Sequence, residues 1–201
     1  MSYMHGYGVQ HYLPVEQAIE EAITAGATHF YADGSYGHSA VDSWSASRLQ
    51  AVKQRLADTG VTPAFHGDFH QPLVIETKTV RRAAQEYVQR EIDLATALGA
   101  PLHFIHAGAV VSTLHPKQAL HNALDAFTEA YHILRTYGQA QGVRVLVENL
   151  AGYKKLHPFY YVCTSREDFR YMVQQVPEVE FILDIGHAHV HGGDPVGMFR
   201  E

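Results

Sequence analysis

Four segments of the chain place a histidine or a carboxylate directly after a short apolar run. They read HGDFH from His66, HAG from His106, ENLAG from Glu148 and DIGHAHVHGGD from Asp184. Imidazole and carboxylate together suit Zn²⁺, Mn²⁺, Fe²⁺ or Co²⁺, whereas Mg²⁺ and Ca²⁺ sites are built mainly from oxygen. If the fold aims these side chains at one pocket, a divalent cation is needed between carboxylates that would otherwise repel one another.

Each of these residues taken alone also fits a structural role. A histidine at a strand end can cap a helix, Glu148 can form a buried ion pair, and Asp184 can cap the helix that follows it. His103 is expected to face the helix layer, because side chains alternate along a strand and His106 takes the opposite face. The prediction of a metal site therefore rests on the ordered set of segments and on no single residue.

Short β-prone runs alternate with amphipathic helical stretches along most of the chain. The apolar runs cover residues 28–32, 61–65, 102–105, 143–147 and 179–183, and a first strand is expected within 2–9. The helical stretches cover residues 16–25, 45–58, 79–98, 116–141 and 165–174. This alternation predicts parallel strands joined by right-handed crossovers.

Two architectures fit such an alternation, a closed barrel and a doubly wound open sheet. A dinucleotide-binding sheet would carry GxGxxG after its first strand, and the sequence has no such turn. In a βα barrel the chemistry lies at the carboxyl ends of the strands, where the four segments are found. We therefore predict an α/β fold, a TIM (β/α)8-type barrel with about six βα units present. Residues 1–201 are expected to form a single domain that lacks the last two units.

Composition restricts the partners and the compartment. The formal net charge of −6 disfavours nucleic acid, since proteins that grip phosphates normally present a basic surface. Cys163 is the sole cysteine, so no intramolecular disulfide can form, and no pattern typical of an activated thiol surrounds it. The sequence has no apolar run long enough to span a bilayer, and it does not begin like a signal peptide. We expect no membrane association and a cytoplasmic location.

The ordered motifs resemble those of the xylose isomerase-like TIM barrels, a family that includes sugar isomerases and epimerases and, as a sister branch, endonuclease IV. Endonuclease IV has a histidine at the end of its third strand, HPG after the fourth, ENTAG after the fifth and DTCHA after the sixth. The likeness is close from His66 to Gly193 and loose over residues 1–60.

The resemblance implies two sets of roles for the same residues. By likeness to endonuclease IV, His66, His106 and Glu148 would bind a first zinc ion. Glu148 and Asp184 would bridge to a second ion, and His187 would bind a third. By likeness to the sugar isomerases, Glu148 and Asp184 would hold one catalytic cation, while His187 contacts the substrate and His66 lines the pocket.

Further roles follow from the isomerase branch. Glu148 would also act as an acid/base group, and His187 is the second predicted catalytic residue. His66, His106, His187 and Asn149 are expected to bind the substrate. Both branches complete the site with a histidine from a seventh strand and a glutamate from an eighth, in a barrel of about 250 residues.

The predicted function is that of a divalent-metal-dependent isomerase or epimerase of a sugar or sugar phosphate. Its cofactor would be Zn²⁺, Mn²⁺ or Co²⁺, and its partner a small-molecule sugar. An endonuclease IV-like, zinc-dependent abasic-site nuclease is the first alternative, and a non-catalytic barrel fragment or remnant is the second. A homo-oligomer is also open, because the edges of an incomplete sheet invite association.

Overall fold

The computed structural model describes residues 6–8, 13–35, 37–112, 114–151, 159–190 and 195–200. In chain order the strands are β1 (Gly6–Gly8), β2 (His29–Asp33), β3 (Thr62–His66), β4 (Leu102–His106), β5 (Ala109–Val111), β6 (Arg144–Glu148), β7 (Phe159–Tyr161) and β8 (Phe181–Ile182). The helices are α1 (Val15–Thr24), α2 (Ala46–Thr59), α3 (Lys78–Leu98), α4 (Pro116–Ala140), α5 (Arg166–Gln175), α6 (Ile185–Val190) and α7 (Pro195–Arg200). A 3₁₀ turn covers Val41–Ser43.

Over the residues that the structure describes, the main sheet has six strands in the order β1-β2-β3-β4-β6-β8. The pairs β1 with β2, β2 with β3, and β6 with β8 run parallel. The order along the sheet follows the order along the chain, as in a barrel, whereas a doubly wound sheet reverses its order at a switch point. The remaining two strands, β5 and β7, form a separate antiparallel pair that the sequence did not predict.

Local signals in the sequence fix where the helices begin and end. Ser165 caps α5, since its hydroxyl accepts from the Asp168 N–H while the Asp168 carboxylate accepts from the Ser165 N–H. Gly60 ends α2 in the left-handed conformation, with φ of 69°. The five predicted helices are confirmed, each to within one residue at either end.

Two compact units are distinguished within the chain. The first consists of Met1–Asp68, Val88–His103 and Tyr137–Val145, and the second of Phe69–Tyr87, Phe104–Thr136 and Leu146–Glu201. In the first unit, α1 buries one face completely, with Val15, Ala18, Ile19 and Ala22 at 0% exposure. In the second unit, the core includes Phe127, Tyr131, Leu134 and Met172, all at 0% exposure. The assignment of residues 1–201 to a single domain stays a prediction.

Bilayer-spanning helices were not expected. Among the residues that the structure describes, none of the helices combines the length and the hydropathy needed to cross a membrane.

Candidate metal centre

The carboxyl ends of β6 and β8 bring three of the predicted ligands together in the second unit. Glu148 is the last residue of β6 and pairs with Ile182 of β8. Asp184 follows β8 directly before α6, and His187 lies in the first turn of that helix. Because parallel strands end at the same edge of a sheet, residues far apart in sequence meet here.

The three side chains of this cluster lie close together. His187 Nδ1 lies 3.5 Å from Glu148 Oε1 and 3.8 Å from Asp184 Oδ2. One ligand atom from each of the three residues lies within 4.8 Å of the other two. Ligands at about 2.0–2.2 Å from a zinc-sized ion stand about 3–4 Å apart, so these three residues lie close to the separation that one shared ion requires.

His106 adds an imidazole to the same cluster. It ends β4, and its Nε2 lies 3.3 Å from Glu148 Oε1. Its ring meets the His187 ring edge to face, with centroids 5.9 Å apart. The Glu148 side chain is 10% exposed, so this carboxylate lies between two imidazoles with little access to water. Such an arrangement stabilises the charged carboxylate once a cation or a protonated histidine faces it.

The proton of His187 is assigned by its hydrogen bond. Nδ1 of His187 lies 2.8 Å from the backbone oxygen of Asn149. Because a carbonyl oxygen only accepts, Nδ1 carries the hydrogen and donates it. The lone pair of the ring is then on Nε2, the atom available to a cation or to a substrate hydroxyl.

Asn149 follows Glu148 and is 1% exposed. Its amide bonds the backbone of Asp184 through both its oxygen and its nitrogen. The predicted contact of Asn149 with a substrate is not tested by this geometry and stays a prediction.

His66 lies in the first unit, at the end of β3, and is 3% exposed. Its Nδ1 donates to the Gly67 oxygen at 2.7 Å, which leaves Nε2 with the lone pair. The assignment of His66 as a ligand and substrate contact stays a prediction of the sequence. Asp33, which ends β2, lies beside it, with Oδ1 at 3.8 Å from His66 Nδ1. Sequence reasoning missed Asp33 because it ended the strand one residue early, at 32.

A second buried acid in the first unit was also missed. Glu91 on α3 is 0% exposed, and its Oε1 accepts from the Asp68 N–H at 2.8 Å. Its Oε2 lies 3.8 Å from His103 Nε2, which confirms that His103 faces the helix layer. Burial raises the pKa of Glu91 to about 8. An acid within an amphipathic helix looks like part of a solvent face, so the sequence alone offers no signal for it.

The strands β5 and β7 tie together the loops that follow β4 and β6. Ala109 pairs with Tyr161, and Val111 pairs with Phe159. A backbone hydrogen bond from Leu150 to Cys163 extends the connection towards Glu148. Burial raises the pKa of the Cys163 thiol well above its usual value, in line with the expectation that this cysteine is not an activated nucleophile.

The family model of the xylose isomerase-like TIM barrel matches residues 19–200. The chain belongs to this family. The predicted fold class is thereby confirmed, with parallel strands and alternating helices that follow the barrel order. The predicted family is confirmed as well.

Similar proteins fall into two groups. The chain is 26% identical over 186 residues to a "Probable endonuclease 4" of Haloarcula marismortui, covering 91% of this chain and 61% of that protein. Its structure is similar to that of a D-psicose 3-epimerase solved with D-fructose, with a TM-score of 0.81, 13% identity, and coverage of 98% and 69%. It is also similar to endonuclease IV of Thermus thermophilus, with a TM-score of 0.62, 21% identity, and coverage of 98% and 70%. At these identities the structural likeness shows the fold, and the chain spans less than two thirds of the curated relative.

Proposed function

We propose that this chain carries the cation-binding part of a metal-dependent isomerase or epimerase that acts on a sugar or sugar phosphate. The observation that carries the proposal is the cluster of Glu148, Asp184 and His187, with ligand atoms within 4.8 Å of one another. Two carboxylates neutralise a divalent cation, and mixed oxygen and nitrogen donors favour Zn²⁺, Mn²⁺ or Co²⁺.

Each residue of the cluster has an atom to offer. Asp184 Oδ1 accepts from the His187 N–H at 2.6 Å, which leaves Oδ2 for the cation. Glu148 offers Oε1, the atom nearest to both imidazoles, and His187 offers Nε2, since its Nδ1 donates to the Asn149 carbonyl oxygen. A divalent cation held here would polarise a substrate carbonyl and the adjacent hydroxyl, lowering the barrier to removal of the neighbouring proton.

Glu148 is the proposed acid/base group. It is 8% exposed, so water competes little for its carboxylate, and a proton passed to or from it stays within the site. His106, beside Glu148, and His187, 32% exposed at its side chain, are the imidazoles that would bond substrate hydroxyls in this proposal.

A second candidate is an abasic-site nuclease. The name of the Haloarcula relative favours it, and so does the position of His106, whose Nε2 lies 3.3 Å from Glu148 Oε1 as a second metal-binding imidazole requires. The net charge of −6 opposes it, because a nuclease gains much of its affinity by neutralising phosphates. The sugar reaction is therefore the preferred proposal.

The first prediction concerns the ligands. Glu148→Gln and Asp184→Asn each remove a carboxylate charge from the cluster, so we expect the affinity for Mn²⁺ or Zn²⁺ to fall by more than about 100-fold. This loss exceeds the one typical of changes at residues that only orient the ligands. Isothermal titration calorimetry measures this affinity. His189→Ala is the matched control, since His189 lies exposed on α6 two residues from His187. Unchanged affinity in both carboxylate variants would contradict the site.

The reaction itself is tested on the metal-loaded protein. Exchange of the hydrogen beside the carbonyl of ketoses in D₂O, followed by NMR, is expected in the wild type and lost in Glu148→Gln. Cleavage of abasic DNA without sugar exchange would instead support the second candidate.

A further inference from the structure

The side chain of Asn149 forms a two-bond connection between the ends of β6 and β8. Its Nδ2 donates to the Asp184 oxygen at 3.0 Å, and its Oδ1 accepts from the Asp184 N–H at 2.6 Å. The last backbone pairing of these strands joins Glu148 and Ile182. The side-chain amide of Asn149 therefore extends the hydrogen bonding between the two strands beyond their last backbone pair.

The main chain of Asn149 fixes a second member of the cluster. Its carbonyl oxygen accepts the His187 Nδ1 hydrogen at 2.8 Å. That contact sets the orientation of the ring and keeps the lone pair on Nε2. Asn149 thus holds both Asp184, which lies just after β8, and His187, which lies three residues later in α6.

The Asp184 carboxylate is oriented as a consequence. With its backbone held by Asn149, its Oδ1 accepts from the His187 N–H at 2.6 Å and caps α6. Its Oδ2 is left on the side of the His187 ring, at 3.8 Å from Nδ1. Both the position and the rotation of this carboxylate therefore depend on the amide of Asn149.

We infer that Asn149 is a positioning residue, which orders Asp184 and His187 for a divalent cation, and that it is not a substrate contact. The inference rests on the proposed function in so far as it names a cation. At 1% exposure, and with the amide oxygen and nitrogen both bonded to Asp184, the side chain has little left to offer a substrate. Partners of this kind hold the ligands of a metal site in the geometry that the ion requires.

Cation affinity tests the inference directly. Asn149→Leu keeps the approximate size of the side chain and adds no charge, but it removes both the donor and the acceptor that hold the Asp184 backbone. We expect Mn²⁺, titrated and followed by electron paramagnetic resonance, to bind about 10- to 100-fold more weakly. Asn122→Leu makes the same change on α4, where the described contacts of Asn122 are with the side chains of Gln118 and Glu76, and should bind Mn²⁺ as the wild type does. Wild-type affinity in Asn149→Leu would overturn the inference.

Amide hydrogen exchange in the metal-free protein tests the positioning without any cation. Asn149→Ala removes the acceptor of the Asp184 N–H, so exchange of this amide should accelerate by about 10-fold or more through local opening. Exchange of buried α4 amides such as Leu134 should stay unchanged, which separates the local effect from a general loss of stability. Equal Asp184 exchange in variant and wild type would overturn the inference. If the wild type binds no Mn²⁺, the proposed function fails, and these exchange rates alone then decide the role of Asn149.

Discussion

Glu91 is a carboxyl group held away from water in the first unit. Burial raises its pKa to about 8, and the nearby charges of Asp68 and Asp33 act in the same direction, against the hydrogen bond from the Asp68 N–H. The folded protein therefore keeps this proton up to about pH 8, whereas the unfolded chain loses it near the ordinary glutamate pKa of 4.5. The stability that protonated Glu91 contributes is complete below pH 4.5 and is lost as the pH rises to about 8.

Glu91→Gln tests this pH dependence, because glutamine keeps the acceptor for Asp68 and cannot ionise. We expect the unfolding temperature of the variant, relative to the wild type, to rise steadily between pH 4.5 and 8 and to level off above that range. Glu86→Gln is the control, since Glu86 lies on the same helix with its side chain 62% exposed. A difference in unfolding temperature between Glu91→Gln and wild type that stays constant from pH 4.5 to 8 would contradict the raised pKa of Glu91.

For individual side chains, sequence reasoning located the strand-end residues but not the hydrogen bonds that orient them. The rule that chemistry gathers at the carboxyl ends of parallel strands was enough to place Glu148, Asp184, His187 and His106 together. Asp33 obeys the same rule, because it is the last residue of β2, but the predicted strand ended at residue 32. The connection from Asn149 to Asp184 depends on a side-chain rotamer and on the exact register of β6 with β8, and neither can be read from residue types.

At the scale of elements, the close approach of α4 to the strand that follows it depends on Gly138. A Cβ atom at this position would lie 2.6 Å from Val145 Cγ2 and 2.8 Å from the Val143 oxygen. The chain turns between these elements at Gly142, whose φ is 76°. At Gly138 the backbone of α4 therefore packs directly against the Val145 side chain and the Val143 carbonyl, with no room for a methyl group.

Gly138→Ala should destabilise the fold, because a backbone oxygen cannot move aside cheaply. We expect a loss of about 1–3 kcal/mol from overpacking, reduced by up to about 1 kcal/mol through the better helix propensity of alanine. Urea unfolding measures the difference. Gly37→Ala is the matched control: nothing lies within 4 Å of the added carbon, so this change should be neutral or slightly stabilising. Equal stability of the two variants would contradict the packing described.

The elements that the sequence predicted well are those with local signals. Amphipathic stretches marked the helices, and apolar runs marked the strands of the main sheet. The pair of β5 and β7 was missed because each strand has three residues and the two are far apart in the sequence. The sequence signal for a pair of antiparallel strands is a short turn between two strand-like runs, and no such turn joins β5 to β7.

At the scale of the whole molecule, a cation held by residues that meet only in the folded state stabilises that state by mass action. We expect Mn²⁺ at 100 times its dissociation constant to raise the free energy of unfolding by about 2.7 kcal/mol, seen as a higher unfolding temperature. A chelator should reverse the shift, and Glu148→Gln should show almost none. A shift of the same size in Glu148→Gln would place the cation elsewhere on the protein.

The ribbon of β5 and β7 has a consequence for engineering. The loops of βα barrels are commonly regarded as exchangeable modules, each carried by its own strand. Here Val110 is paired with Tyr160, so the loop after β4 and the loop after β6 form one unit. Grafting either loop alone from a relative would leave its partner with unpaired backbone groups. Recombination should therefore transplant both loops as a single cassette.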